Sequence, residues 1–149
     1  MTAPSTTIDH DLCLRPRPSS CRLFRAGKLS PVEVLEAQLA RAEAVEPVIN
    51  AFTETFAEEA MAAARRAEEV WLKRPDMARP LEGITVAIKD EMPVKGQRNT
   101  QGLLIYKDYI ADHTHPVATR LQEAGADLSR PHDNAGLVAP GSPHRASMA

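Results

Sequence analysis

One lysine stands where its amine could do acid–base work. Lys89 follows directly on Ile84-Thr85-Val86-Ala87-Ile88, a run of mostly β-branched residues, and is succeeded by Asp90 and Glu91. Such a run reads as a buried strand in a sheet covered on both faces. An ammonium at the end of a buried strand loses its water, and desolvation favours the neutral amine. A neutral lysine takes up a proton as a general base, which an arginine in its place would not do. Alternation along the strand sends Asp90 to the face opposite Lys89. Judged on position alone, a surface lysine paired with Asp90 or Glu91 is the commoner arrangement.

Other chemistry-bearing residues are less suggestive. His113 and His115, in Asp112-His113-Thr114-His115, have the spacing of two metal ligands. Without a third ligand the pattern reads as a polar loop. Cys13 and Cys21 are spaced neither as a zinc pair nor as a redox Cys-x-x-Cys, and read as free thiols. His132 and His144 fall in an aperiodic stretch, Arg65-Arg66 is too short for a nucleic-acid patch, and Trp71 among alanines reads as helix packing.

The elements that must position Lys89 follow from capping and periodicity. Ser30-Pro31-Val32-Glu33 is a capping box with proline at the first helical position, where its missing N–H costs nothing. Val32, Leu35, Leu39 and Ala42 follow at helical spacing, and Pro47 is expected to stop the helix. Val48-Ile49-Asn50-Ala51-Phe52 reads as a short extended link. A second helix is expected over about residues 56 to 73, with Glu58 and Glu59 at its start and Lys73 and Arg74 at its end, matching the dipole. Its inner face is narrow: Phe56, Ala60, Ala63, Ala67, Val70 and Trp71. A short helix starts on Pro116 and ends at Ala124, with Gly125 as the residue beyond its cap. Residues 1–27 read as irregular, with one helical turn ending at Arg25-Ala26-Gly27. Residues 127–149 have no period and read as a disordered tail.

Composition narrows the classes. The chain has 149 residues and is 43% hydrophobic, but 23 of these are alanines and only 4% of residues are aromatic, so the core is thin for the length. A formal net charge of −2 excludes a strongly basic nucleic-acid binder. No run approaches a membrane span, and the first residues lack a basic region followed by an apolar run, so a cytoplasmic location is expected.

Gly83-Ile84-Thr85-Val86-Ala87-Ile88-Lys89-Asp90, followed by Pro93-Val94-Lys95-Gly96, closely resembles the lysine segment of the amidase signature family, with Thr85 where that family usually has proline. Three further segments resemble the family in the same order: Gly27-Lys28-Leu29-Ser30-Pro31-Val32-Glu33, Val48-Ile49-Asn50-Ala51-Phe52, and Pro116-Val117 through Arg120-Leu121 to Ala124-Gly125-Ala126. The resemblance spans about residues 25–126. It implies an α/β fold, here the N-terminal part of the amidase-signature fold: a helical hairpin, then a strand and helix of a mixed sheet. Residues 28–126 would form a partial amidase domain.

The resemblance also implies hydrolysis of a carbon–nitrogen amide bond by a Ser-Ser-Lys triad. Lys89 would draw a proton through a bridging serine so that a second serine attacks a carbonyl, and backbone N–H groups of a Gly/Ser-rich loop would stabilise the oxyanion. No cofactor or metal is implied. The partner would be a small-molecule amide, with no nucleic acid or membrane contact evident.

Both family serines lie downstream of Ala124-Gly125-Ala126, where this sequence departs from the pattern. Gly141-Ser142-Pro143 is the only Gly-Ser step, and its proline cannot supply the oxyanion N–H. The length therefore reads as a truncation, and the chain alone is expected to be inactive. Codons for residues 130–136 can be chosen that, read one base later, give Ala-Arg-Thr-Thr-Met-Pro, close to the family's continuation. A frameshift is thus an expectation that sequencing the DNA beyond the Gly125 codon tests. Two alternatives remain at this stage: a non-catalytic helical module binding a partner through residues 30–73, and a piece of a tRNA-dependent amidotransferase subunit.

Overall fold

The computed structural model describes residues 12–13, 15–50, 52 and 56–132. Helix α1 (Arg17–Arg25) is followed by α2 (Pro31–Ile49) and α3 (Ala57–Lys73). Strand β1 (Thr85–Lys89), a 3-10 turn (Leu104–Tyr106), α4 (Pro116–Glu123) and strand β2 (Asp127–His132) complete the order.

The capping box forms as its residues require: the Ser30 hydroxyl accepts from the Val32 N–H at 2.9 Å, and Glu33 Oε2 accepts from the Ser30 N–H at 2.8 Å. The same hydroxyl donates to Glu68, fastening the start of α2 to α3. Three expected element boundaries need correction. α1 is a nine-residue helix rather than one turn. It ends as anticipated, with Gly27 donating to Phe24 and Lys28 to Leu23 around a left-handed glycine. α2 does not stop at Pro47 but runs on to Ile49, so Val48 and Ile49 are helical and exposed rather than extended. Pro47 forfeits one ladder bond in the last turn, where both it and Glu43 are exposed to solvent, and Asn50 then closes the helix in the left-handed region. Finally, the stretch from Asp127 is not irregular at its start: Asp127–His132 is a strand.

Packing explains the alanine content. Ala60, Ala64, Ala67 and Trp71 form the buried seam of α3, each three or four residues from the next. Ala63 and Val70, expected on that seam, are only half-buried. Leu35 of α2 packs on Ala60 and Ala64, while Val34 joins Phe24 of α1 and Trp71 in a second cluster. The Phe24 and Trp71 rings lie 6.0 Å apart and tilted. The indole N–H of Trp71 donates to the Glu82 carbonyl at 3.2 Å, which ties α3 to the segment leading into β1.

That segment turns on Gly83, whose φ of +75° suits glycine. A Cβ there would lie 2.7 Å from Pro31 Cγ and 3.1 Å from Ala67 Cβ, so the backbone passes closer to both helices than any side chain allows. Arg79 grips Glu82 at two points, 2.7 and 3.1 Å, and reaches the Gln122 carbonyl in the last turn of α4 at 3.3 Å. The Glu82 carboxylate holds the Arg79 guanidinium above its ordinary pKa.

β1 and β2 pair in parallel, with Thr85 opposite Asp127 and Lys89 opposite His132, and with an irregularity between Thr85 and Ala87. α4 lies on the crossover between the strands, as parallel pairing demands. Gly125 ends α4 with a φ of +97°, its N–H donating to Gln122 and that of Ala126 to Leu121. Ile88, Val94, Ala118, Ala126 and Leu128 form the third cluster, between this helix and the strands. The expectation of a strand buried on both faces is not met. Only Ile88 of β1 is buried, because the sheet has two strands among the described residues. Thr85 uses its hydroxyl to donate to Gln38 of α2 at 2.5 Å, so the position occupied by proline in the family here fastens strand to helix.

Candidate active site around Lys89

Lys89 closes β1, held on one side by the ladder to β2. Its side chain is 35% exposed, and its ammonium donates to Glu91 Oε2 at 3.1 Å. The amine is therefore not stripped of water as a buried strand end would require. Of the two carboxylates proposed as its partner, Glu91 takes the role and Asp90 does not.

Asp90 goes to the opposite face, as alternation requires, and is 4% exposed. Its two oxygens accept the Thr100 N–H at 3.0 and 3.1 Å, and Oδ2 accepts the Thr100 hydroxyl at 2.6 Å. The Asn99 amide donates to the Asp90 carbonyl, and the Thr100 oxygen accepts the Gly102 N–H at 3.2 Å. Asn99 and Thr100 are both buried. They sit in a ribbon in which Gly96 and Ala111, Gln97 and Ala111, and Asn99 and Tyr109 are joined by backbone bonds, with Arg98 bridged to Ile110. Sequence reasoning missed Asn99 and Thr100. The available signal was a buried-side acid at a strand end, which must find donors.

The ribbon's outer part is apolar and exposed. Leu103, Leu104, Ile105, Tyr106, Tyr109 and Ile110 all show more than a third of their surface. A cleft of about 340 Å³ lies elsewhere, floored by Ala64, Ala67 and Gly83 and rimmed by Arg66, Arg79 and Asp127.

The remaining candidates are dispersed. The ring of His113 lies 2.7 Å from Asp112 Oδ1, and its hydrogen bond holds the Asp112 carboxyl below its ordinary pKa. His115 accepts the Val117 N–H on Nδ1 at 3.2 Å and so caps α4. Among the described residues no group of three or more His, Cys, Asp or Glu side chains is placed to hold a metal. Cys13 donates to the Ala37 carbonyl at 3.3 Å, and Cys21 packs beside the Phe24–Trp71 cluster. Ser19 and Ser20 serve the start of α1, and Ser30 that of α2. Gly141-Ser142-Pro143 and His144 lie outside the described residues, as does the rest of the expected tail beyond His132. Among the described residues no helix is long and apolar enough to cross a membrane.

Two parallel strands joined through a helix, with a lysine closing the first, define a portion of an α/β protein. The profile of the family described as Amidase matches residues 33–128, and the chain belongs to that family. It is 42% identical over 103 residues to a glutamyl-tRNA(Gln) amidotransferase subunit of Geobacter metallireducens, covering 69% of this chain and 21% of that one. It is 37% identical over 103 residues to the indoleacetamide hydrolase of Bradyrhizobium diazoefficiens, covering 69% and 20%. A crystal structure of an amidase superposes with a TM-score of 0.66 at 30% identity, over 78% of this chain and 26% of that one. The chain thus spans about a fifth of the length of the curated relatives it matches.

Proposed function

We propose that this chain carries the lysine-bearing portion of an amide hydrolase, with Lys89 as the general base of a Ser-Ser-Lys relay. What carries the reading is that Lys89 lies inside the matched family segment, at the end of β1, with an accessible amine. In the relay, Lys89 takes the proton of a bridging serine, which in turn takes that of the nucleophilic serine. The nucleophile's oxygen bonds to the amide carbon, and the proton returns to the nitrogen as the carbon–nitrogen bond breaks. Water then frees the acyl group by the same proton path. Both serines and the oxyanion donors have to come from sequence outside residues 12–132. The Lys89–Glu91 pair must open for the amine to act, which costs little for an exposed ion pair, about 0–1 kcal/mol.

The substrate class that fits is a small primary or secondary amide, and a cytoplasmic location suits such chemistry. The test pairs the full chain with a separately produced polypeptide carrying the remaining length of an amidase relative, including its Gly/Ser-rich loop. Ammonia release from indoleacetamide is then measured. Hydrolysis is expected from the mixture and not from either part, and is expected to vanish with Lys89→Ala. Hydrolysis that survives Lys89→Ala, or a complex that assembles without hydrolysing any simple amide, refutes the proposal.

A further inference from the structure

Lys89 itself is held by little. Its ammonium has one exposed carboxylate beside it, yet a proton-transferring amine must keep a fixed orientation. The residue after it is held far more firmly. Asp90 places a buried carboxylate against one residue, Thr100, through three hydrogen bonds, and its carbonyl takes a fourth from Asn99. A buried carboxylate satisfied this fully is expensive to misplace, since any shift strands an anion without donors. The Lys89 carbonyl also accepts the Met92 N–H at 2.8 Å, closing a turn directly around this point. Lys89 is therefore pinned by the ladder on its N-terminal side and by the Asp90 clamp on its C-terminal side.

We propose that Asp90, through Thr100, is the positioning residue for the Lys89 amine: the clamp fixes the backbone turn after β1 and so sets the direction of the lysine side chain. The functional reading supplies only the use to which Lys89 is put; the clamp can be tested without any hydrolysis.

The experiment is competitive acetylation of the full chain by a limiting N-hydroxysuccinimide ester. Mass spectrometry of the peptides gives the rate at Lys89 relative to Lys28 and Lys73, which lie away from the clamp. Asp90→Asn turns one acceptor into a donor facing the Thr100 donors. It is expected to raise the relative rate at Lys89 about tenfold, the scale set by losing one hydrogen bond to a charged group. Thr100→Val, which removes the hydroxyl's bonds to Asp90 and Gly102 but keeps those from the Thr100 N–H, should give a smaller rise, and Thr100→Ser, which keeps the hydroxyl, should match the unaltered chain.

An unchanged rate at Lys89 in folded Asp90→Asn overturns the assignment. So does an equal rise at all three lysines, or a failure of Thr100→Ser to rescue. Should Asp90→Asn lose its cooperative thermal transition, Thr100→Val decides instead by the same criterion. A Lys89-specific rise with no amide hydrolysis in the reconstituted protein refutes the functional reading alone. Intact hydrolysis with unchanged labelling refutes the clamp alone.

Discussion

Replacing Gly83 with alanine tests how β1, and with it Lys89, is seated on the helices. Two costs act at this position. The φ of +75° is unfavourable for any residue with a Cβ, by about 1–2 kcal/mol. The new methyl would also meet Pro31 at 2.7 and 2.8 Å and Ala67 at 3.1 Å, atoms of a ring and a helix seam that cannot rotate away. Overpacking of this kind costs about 1–3 kcal/mol, so the sum is about 2–5 kcal/mol. Gly96→Ala is the matched control, because its φ of +85° carries the same backbone cost while nothing lies within 4 Å of the added methyl. Both substitutions restrict the unfolded chain alike, so that contribution cancels in the comparison. Urea unfolding of the two variants and the parent, followed by circular dichroism, gives the difference. Gly83→Ala is expected to lose about 1–3 kcal/mol more than Gly96→Ala, the overpacking part alone. Equal losses at equal denaturant slope would refute the claim that β1 is held by close approach to Pro31 and Ala67.

Three further outcomes are expected. Ser30→Ala removes the cap of α2 and its link to Glu68, and should cost about 1 kcal/mol, read as a lower urea midpoint. Trp71→Phe keeps the ring contact with Phe24 but leaves the buried Glu82 carbonyl without its donor. It should cost about 1–3 kcal/mol by the same assay. His113→Ala should raise the titration midpoint of the Asp112 carboxyl toward its ordinary 3.8, seen in the carbon-13 shift of that group. The sign follows from the lowered folded pKa: the stabilisation is present above the unfolded value and is lost as pH falls through the folded one.

What is legible in the sequence is what a few neighbouring residues settle among themselves. The capping box at Ser30, the glycine ends at Gly27 and Gly125, and the span of α3 all satisfy their hydrogen bonds within about one helical turn. Lys89 is legible in the same way, because a β-branched run announces a strand and the lysine stands at its end. Pro47 shows the limit of local rules. Its penalty is real, but it falls in a final turn that water can satisfy, so α2 passes through it.

Tertiary structure decides what depends on a partner distant in the chain. Residues Asp127–His132, with a proline among them and no period of their own, become a strand only because β1 offers a parallel edge. Arg79 and Glu82 look like scattered surface charge until α4 brings the Gln122 carbonyl to the same guanidinium. Alternation alone sends Asp90 away from Lys89, but nothing local says that Asn99 and Thr100 fold back to take its carboxylate and carbonyl. A buried charge must be satisfied wherever the chain happens to return. The amino acids therefore place a lysine at the end of a strand, and the returning ribbon decides how firmly the chain behind it is held.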